Sequence, residues 1–159
     1  MNQKYLFHKI IATGFGSGYC PIAPGTAGAV FAWIVWWILF LVFPPHSYLL
    51  LQATVLLILV FTVLGIWSSG VVEAIWGKDP SRVVVDEMVG VWIPLLAVSD
   101  GNIYYALFAL AAFRLFDIFK PLGIRKMEAL KGGWGIMMDD ILAGIYSLLL
   151  LLGLRWLIG

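Results

Sequence analysis

Between Lys9 and Glu73 the chain reads IIATGFGSGYCPIAPGTAGAVFAWIVWWILFLVFPPHSYLLLQATVLLILVFTVLGIWSSGVV, Ile10 to Val72, 63 positions without an Asp, Glu, Lys or Arg. A soluble domain of this size leaves about a third of its unfolded surface in water and needs charge to clothe it. Ala27 to Phe43 is an apolar run and Tyr48 to Trp67 a second, each near the ~20 residues that a ~30 Å hydrocarbon core requires. Pro44-Pro45 ends the first run, because proline has no amide hydrogen and clashes with the preceding helical turn. The Pro-Pro-His-Ser link is short enough to predict an antiparallel hairpin. This is the sequence of an integral membrane protein.

The whole chain agrees with that stretch. Of 159 residues 62% are hydrophobic and 12% charged, about half the charge of a soluble domain. The same figures exclude disordered, collagen-like and disulfide-rich secreted classes. A net charge of +1 argues against a nucleic-acid partner, which demands a basic surface. Cys20 stands alone and forms no internal disulfide. Met1 to Tyr19 has only short apolar pieces broken by Gly and Ser, so no secretory signal is expected.

Further spans follow. Ile103 to Phe119 and Ile141 to Ile158 are long enough; Met88 to Ser99 has only twelve residues and contains Pro94. At 1.5 Å per residue it reaches ~18 Å, so it either borrows flanking residues or re-enters. Asp100-Gly101-Asn102 reads as a turn. Ala12 to Gly28 holds five glycines and two prolines without a charge, which predicts irregular backbone packed against protein at the membrane surface. The expected fold is all-α: a single domain, residues 1–159, forming a small polytopic bundle of about four or five spanning or re-entrant helices. Threading five spans with Lys4 and Lys9 in the cytoplasm leaves nine of ten basic residues on that side and Arg155 on the other, as the positive-inside rule asks.

That threading gathers Asp79, Asp86, Glu87, Asp117, Asp139 and Asp140 on the cytoplasmic face. Asp86-Glu87 and Asp139-Asp140 each precede an apolar run, where acids cap helices and complement their positive ends. Asp117, in the last turn before Lys120-Pro121, opposes the helix dipole and wants a partner; Arg114 and Lys120 would make a plain salt-bridged ladder with it. Against these structural readings stands a joint one. Two acidic pairs and a third carboxylate at one end resemble a hard-cation site, since Mg²⁺ prefers carboxylate oxygens, waters and substrate phosphate. Neighbouring Arg and Lys would hold phosphate oxygens. The stretch Thr13-Gly-Phe-Gly-Ser-Gly18 could cradle an anion by backbone N–H groups, although it lacks the Gly-Lys-Ser/Thr of a Walker loop; close backbone packing is its other reading.

Other hydrolytic chemistries do not fit. A cysteine nucleophile wants Arg six positions on, where Thr26 stands; the two histidines, His8 and His46, lie away from the acids; Asp-x-Asp does not occur. Zinc lacks Cys and His ligands.

Thr13-Gly-Phe-Gly-Ser-Gly18, Ala23-Pro-Gly-Thr26, Val83-Val-Val-Asp-Glu87 with Gly90, Phe113-Arg-Leu-Phe-Asp-Ile-Phe-Lys-Pro121 and Gly132-Gly-Trp-Gly-Ile-Met-Met-Asp-Asp140 with Ala143-Gly144 resemble the phosphatidylglycerophosphatase A family. Five blocks in order cover nearly the whole chain. The resemblance implies Mg²⁺-dependent hydrolysis of phosphatidylglycerophosphate to phosphatidylglycerol and phosphate, with the lipid bilayer of the bacterial inner membrane as the setting. It carries over as polar positions Thr13, Ser17, Thr26, Asp86, Glu87, Arg114, Asp117, Lys120, Asp139 and Asp140. In the mechanism expected on these residues, Asp86, Glu87, Asp139 and Asp140 hold one or two Mg²⁺ ions, and Asp117 completes the site or acts as base. Arg114, Lys120 and the Gly14–Gly18 backbone, with Thr13, Ser17 and Thr26, contact phosphate. Leu122-Gly123 departs from the aromatic and second proline that many members carry after Lys120-Pro121. A small non-enzymatic transporter or scaffold is the competing class; transporters, however, place polar groups near the bilayer midplane, and the first two spans carry almost none.

Overall fold

The structure, a computed structural model, describes residues 5–43, 48–98 and 100–158. Six α-helices follow one another: α1 Leu6–Ala12, α2 Pro24–Val42, α3 Tyr48–Trp76, α4 Val85–Leu95, α5 Ile103–Phe119 and α6 Gly133–Ile158, with 3₁₀ turns at Ser17–Tyr19 and Ile124–Ala129. Among the described residues the only regular structure is helical. Helices α2, α3 and α6 are long and apolar enough to cross a membrane. The predicted link Pro44–Ser47 lies outside the described residues, as do Lys4 and Ser99.

Four boundaries differ from the sequence reading, one of them the start of α6, at Gly133 rather than Ile141. α2 starts at Pro24, three residues before the apolar run, because Pro at the first helical position loses no needed hydrogen bond. The irregular segment is therefore 13–23 rather than 12–28. α3 continues to Trp76, past Ser68-Ser69-Gly70; both serines are buried, with Ser68 Oγ 3.3 Å from His8 Nδ1. The stretch Met88 to Ser99 is helical only as α4, eleven residues or about 17 Å, too short to cross.

α4 is instead the core of the molecule. Ten of its eleven residues are buried, Glu87 being the exception, and α2, α3, α5 and α6 all pack on it. Interhelical indole bonds satisfy the buried Trp92 and Trp36 and the half-buried Trp33: Trp92 Nε1 donates to Ala32 O at 2.9 Å, Trp36 Nε1 to Thr54 Oγ1 at 3.1 Å and Trp33 Nε1 to Ala106 O at 2.9 Å. Large apolar side chains such as Ile38, Leu41, Leu59, Val63, Leu149 and Leu152 point outward. Apolar outside and polar at one interior end is the distribution lipid rewards.

α4 and α6 approach closely at two glycines. A Cβ on Gly90 would sit 3.0 Å from the Asp140 carbonyl oxygen and 2.3 Å from Phe113 Cε2 of α5, and one on Gly144 would sit 2.5 Å from the Gly90 carbonyl oxygen. Small residues let helix backbones touch in membranes. Gly90 is four residues after Asp86 and Gly144 four after Asp140, so each glycine lies one turn along the face that carries an acid. The contact that locks the two helices also sets the distance between their carboxylates.

The far end carries its own polar lock. Arg155 donates to Asp100 (Nη2 to Oδ2, 2.9 Å) and to Ala97 O (2.6 Å). Arg155 lies fifteen residues, roughly 22 Å, along α6 from Asp140. Burial raises the Asp100 carboxyl, but the Arg155 bond and charge together with backbone amide bonds outweigh it and hold the group below its usual range.

Candidate active site

Four helix ends converge at the other end of the bundle: the starts of α2, α4 and α6 and the close of α5. The capping reading does not survive for Asp139-Asp140, which stand in the second turn of α6, past Gly133. Asp86-Glu87 occupy the first turn of α4, favoured by its dipole, but Val84 is the N-cap and no side chain caps that helix.

These carboxylates line one cavity of about 340 Å³ with Asp117, Arg114, Lys120, Asp79, Pro24 and Gly25. One oxygen each from Asp86, Glu87 and Asp140 lie within 4.8 Å of one another. Asp86 and Asp140 are 8% and 3% exposed, so water does little to separate their charges. Asp86 Oδ1, Glu87 Oε2 and Asp139 Oδ1 are buried without a hydrogen-bond partner. Buried carboxylate oxygens that lack donors are costly, and a divalent cation is the ligand their chemistry fits. Burial, then the charges of Glu87, Asp140 and Asp139, push the Asp86 carboxyl well above the ordinary carboxylate range. Burial also raises Glu87, partly opposed by Arg114.

Two cations balance the acids. Arg114 Nη1 lies 2.5 Å from Asp117 Oδ2 and 3.9 Å from Glu87 Oε1. Half of the predicted ladder is present. Lys120 turns the other way, to Asp139 Oδ2 and Glu128 Oε1, both at 2.6 Å. Burial alone would lower the Lys120 ammonium, but those two bonds raise it above its usual value.

Backbone strain concentrates here. Ala23, Asp79 and Lys120, all lining the cavity, are non-glycine residues at φ 51°, 47° and 46°. Such conformations cost about 1–3 kcal/mol each and gather at functional sites. Ala23 turns the chain into α2, whose first amides lack intrahelical acceptors. Lys120 closes α5 and aims its side chain across at α6. Sequence reading passed over Asp79, Pro24 and Gly25 as site residues, although Pro24 carried a helix-start signal.

The glycine-rich block has a different task from the expected anion cradle. Every amide from Gly14 to Cys20 donates to a carbonyl between Ile10 and Ser17. Thr13 Oγ1 donates to Lys9 O (2.7 Å) and Ser17 Oγ to Gly14 O (2.9 Å). Thr13, Gly14 and Ser17 therefore stand apart from the carboxylate cavity with their donors occupied, and Thr26 is not among its lining residues. The block clamps the strap before α4: Val84 N–H donates to Ala12 O at 2.9 Å, and a Cβ on Gly18 would meet Arg82 O at 2.1 Å. Cys20 is exposed, its thiol 3.2 Å from Ile22 O. Cys20→Ser is expected to keep activity within about twofold in a phosphate-release assay; loss of most activity would give the thiol a role.

Bundle and cavity together define a helical membrane protein with an acidic, cation-ready, phosphate-compatible site at one end. Residues 10–155 match phosphatidylglycerophosphatase A. Among similar proteins, one from Bacteroides thetaiotaomicron with the provisional name phosphatidylinositol-3-phosphatase is 57% identical over the full length of both chains. The Escherichia coli phosphatidylglycerophosphatase A is 32% identical over 94% of this chain and 86% of its own. The Haemophilus influenzae phosphatidylglycerophosphatase A is 37% identical over 92% and 88%. No solved structure matches. The chain belongs to the phosphatidylglycerophosphatase A family. It is a membrane lipid phosphatase.

Proposed function

We propose that the protein hydrolyses phosphatidylglycerophosphate to phosphatidylglycerol and phosphate at the cytoplasmic face of a bacterial inner membrane, with Mg²⁺ as cofactor. The observation that carries this reading is the convergence of unpartnered Asp86, Glu87 and Asp139 oxygens with Arg114 and Lys120 in one cavity. Asp86, Glu87 and Asp140 would hold the metal, with Asp139 beside them. When bound, the ion supplies Lewis-acid polarisation of the phosphate and a more acidic water.

The chain's own groups do the rest. Arg114 and Lys120 bind phosphate oxygens and offset the negative charge that grows on them as the reaction proceeds. Asp117 and Asp139 orient these cations through the 2.5 and 2.6 Å pairs. The start of α2 adds its positive dipole end and free amides. Attack by water forms one P–O bond as the bond to the glycerol oxygen breaks, and that oxygen takes a proton from solvent to leave as the hydroxyl of phosphatidylglycerol. Asp139 Oδ1, free of donors, accepts the proton that water loses; Asp117 is already engaged by Arg114. The excess of Lys and Arg around the cavity end supports its cytoplasmic placement.

The 57% identity to the Bacteroides protein favours a second substrate reading, a lipid with phosphate on inositol carbon 3. Purified protein in detergent should release phosphate from phosphatidylglycerophosphate at least about tenfold faster than from phosphatidylinositol 3-phosphate. Chelation should abolish release and added Mg²⁺ restore it. The reverse preference would move the assignment to the inositol lipid. Full activity in chelator would remove the metal from the mechanism.

A further inference from the structure

A second cavity, of about 410 Å³, lies beside α1 and is lined by Leu6, Lys9, Ile10, Phe15 and Tyr19 among others. Its walls are largely apolar, and Leu6, Ile10, Phe15 and Tyr19 are exposed. Tyr19 connects this groove to the active site. The Arg82 guanidinium sits over the Tyr19 ring, 5.8 Å from its centroid. Ser81 and Val83, on either side of Arg82, line the carboxylate cavity. Arg82 thus stands on the ridge between an apolar groove and the phosphate site.

Its charge is uncommitted. Arg114, Lys120 and Arg155 are each paired with carboxylates, whereas among the described residues Arg82 makes no ion pair. It is exposed, yet the aromatic ring gives it a seat. Stacking on an aromatic face leaves the guanidinium N–H groups free to form a two-point contact with an anion. The strap that carries it is fixed from below by the Gly18 contact and the Val84–Ala12 bond. A seated, unpaired arginine between a lipid-like groove and a phosphomonoester site has one natural ligand: a second phosphate on the same lipid.

We propose that Arg82, seated on Tyr19, binds the phosphodiester of a phospholipid whose terminal phosphate occupies the carboxylate cavity, while the groove beside α1 receives an acyl chain. The inference rests on the lipid-phosphatase reading above and adds the residue that discriminates phospholipids with two phosphates from those with one. Both lipids considered there belong to that class. Phosphatidic acid does not, having a single phosphate joined directly to diacylglycerol. Arg82 is a substrate-binding residue and takes no part in bond breaking.

The test compares dihexanoyl phosphatidylglycerophosphate with dihexanoyl phosphatidic acid. KM and kcat are measured in detergent with Mg²⁺, and Kd in lipid nanodiscs without divalent cation. Arg82→Gln should raise KM and Kd for the two-phosphate lipid about tenfold relative to phosphatidic acid, the usual scale for one charge-assisted contact. Its kcat should change less than about twofold, and Arg82→Lys should recover part of the loss. Arg125→Gln, removing an exposed charge elsewhere, should leave the ratio at the wild-type value. An equal shift for both lipids would mean general attraction of anionic lipid and would overturn the proposal. An unmoved ratio, or no binding of either lipid, would overturn it too. Phosphate release with an unmoved ratio sinks only this inference; an Arg82-dependent binding ratio without turnover sinks only the proposed reaction.

Discussion

Asp140→Asn is expected to lower phosphate release by roughly a hundredfold to a thousandfold while the bundle stays folded. Asp140 is 3% exposed, and one of its oxygens lies within 4.8 Å of oxygens from Asp86 and Glu87. Asparagine keeps the shape and removes one negative charge from three. Activity and stability should therefore part. A purely structural acid would leave a destabilised protein when replaced, but here repulsion falls and the thermal midpoint should hold or rise in chelator. In Mg²⁺ the order should reverse, because the wild type gains from binding an ion that the variant holds less well. The measurements are phosphate release and thermal unfolding, each with and without Mg²⁺. Asp100→Asn, at the far end, serves as control. Activity within tenfold of wild type would take Asp140 out of the site.

The second large effect is expected from a residue with no side chain. Gly144→Ala places a methyl group 2.5 Å from the Gly90 carbonyl oxygen and 3.0 Å from Ile93 Cδ1. The first is backbone of a helix buried on all sides, so it cannot swing aside. α4 and α6 must separate, at a cost of about 1–3 kcal/mol or more for an overpacked core. The separation also widens the gap between Asp86 and Asp140, one turn away on the same faces. A displacement near 1 Å at such a site costs on the order of a hundredfold in rate. Gly144→Ala should therefore lose both thermal stability and phosphate release. Gly153→Ala, with open space around the added carbon, should lose neither. Unchanged activity in Gly144→Ala would show that the α4–α6 contact does not set the site.

Much of this was legible in the sequence because membrane solvation is a blunt selector. A chain uncharged from Ile10 to Val72 has few places to go but lipid, and α2, α3 and α6 follow from run length alone. The acids were legible as a group for the same reason: where charge is scarce, each charged residue is informative. Their arrangement was less so. Lys120 stands three residues from Asp117, yet its left-handed backbone swings it to Asp139 and Glu128. Local spacing predicts i, i+3 pairs; it does not foresee a helix end that turns a side chain toward another helix. The block Thr13–Gly18 misled in a similar way. Its composition suits an anion nest, but its amides are spent on neighbouring carbonyls, and the block packs against the strap at Arg82 instead.

The sequence by itself determined the solvent, the helical class and the inventory of acids and bases, since each depends on composition and on the periodicity of single segments. Only the tertiary structure decided that an eleven-residue helix too short to cross the membrane becomes the buried centre. It also decided that Gly90 and Gly144 bring Asp86 and Asp140 together, and that Arg82, without an ion pair among the described residues, sits over Tyr19 beside the site. The physical reason is range. Lipid acts on every residue independently and can be read one run at a time, whereas carboxylates drawn from α4 and α6 meet only because two distant glycines leave room.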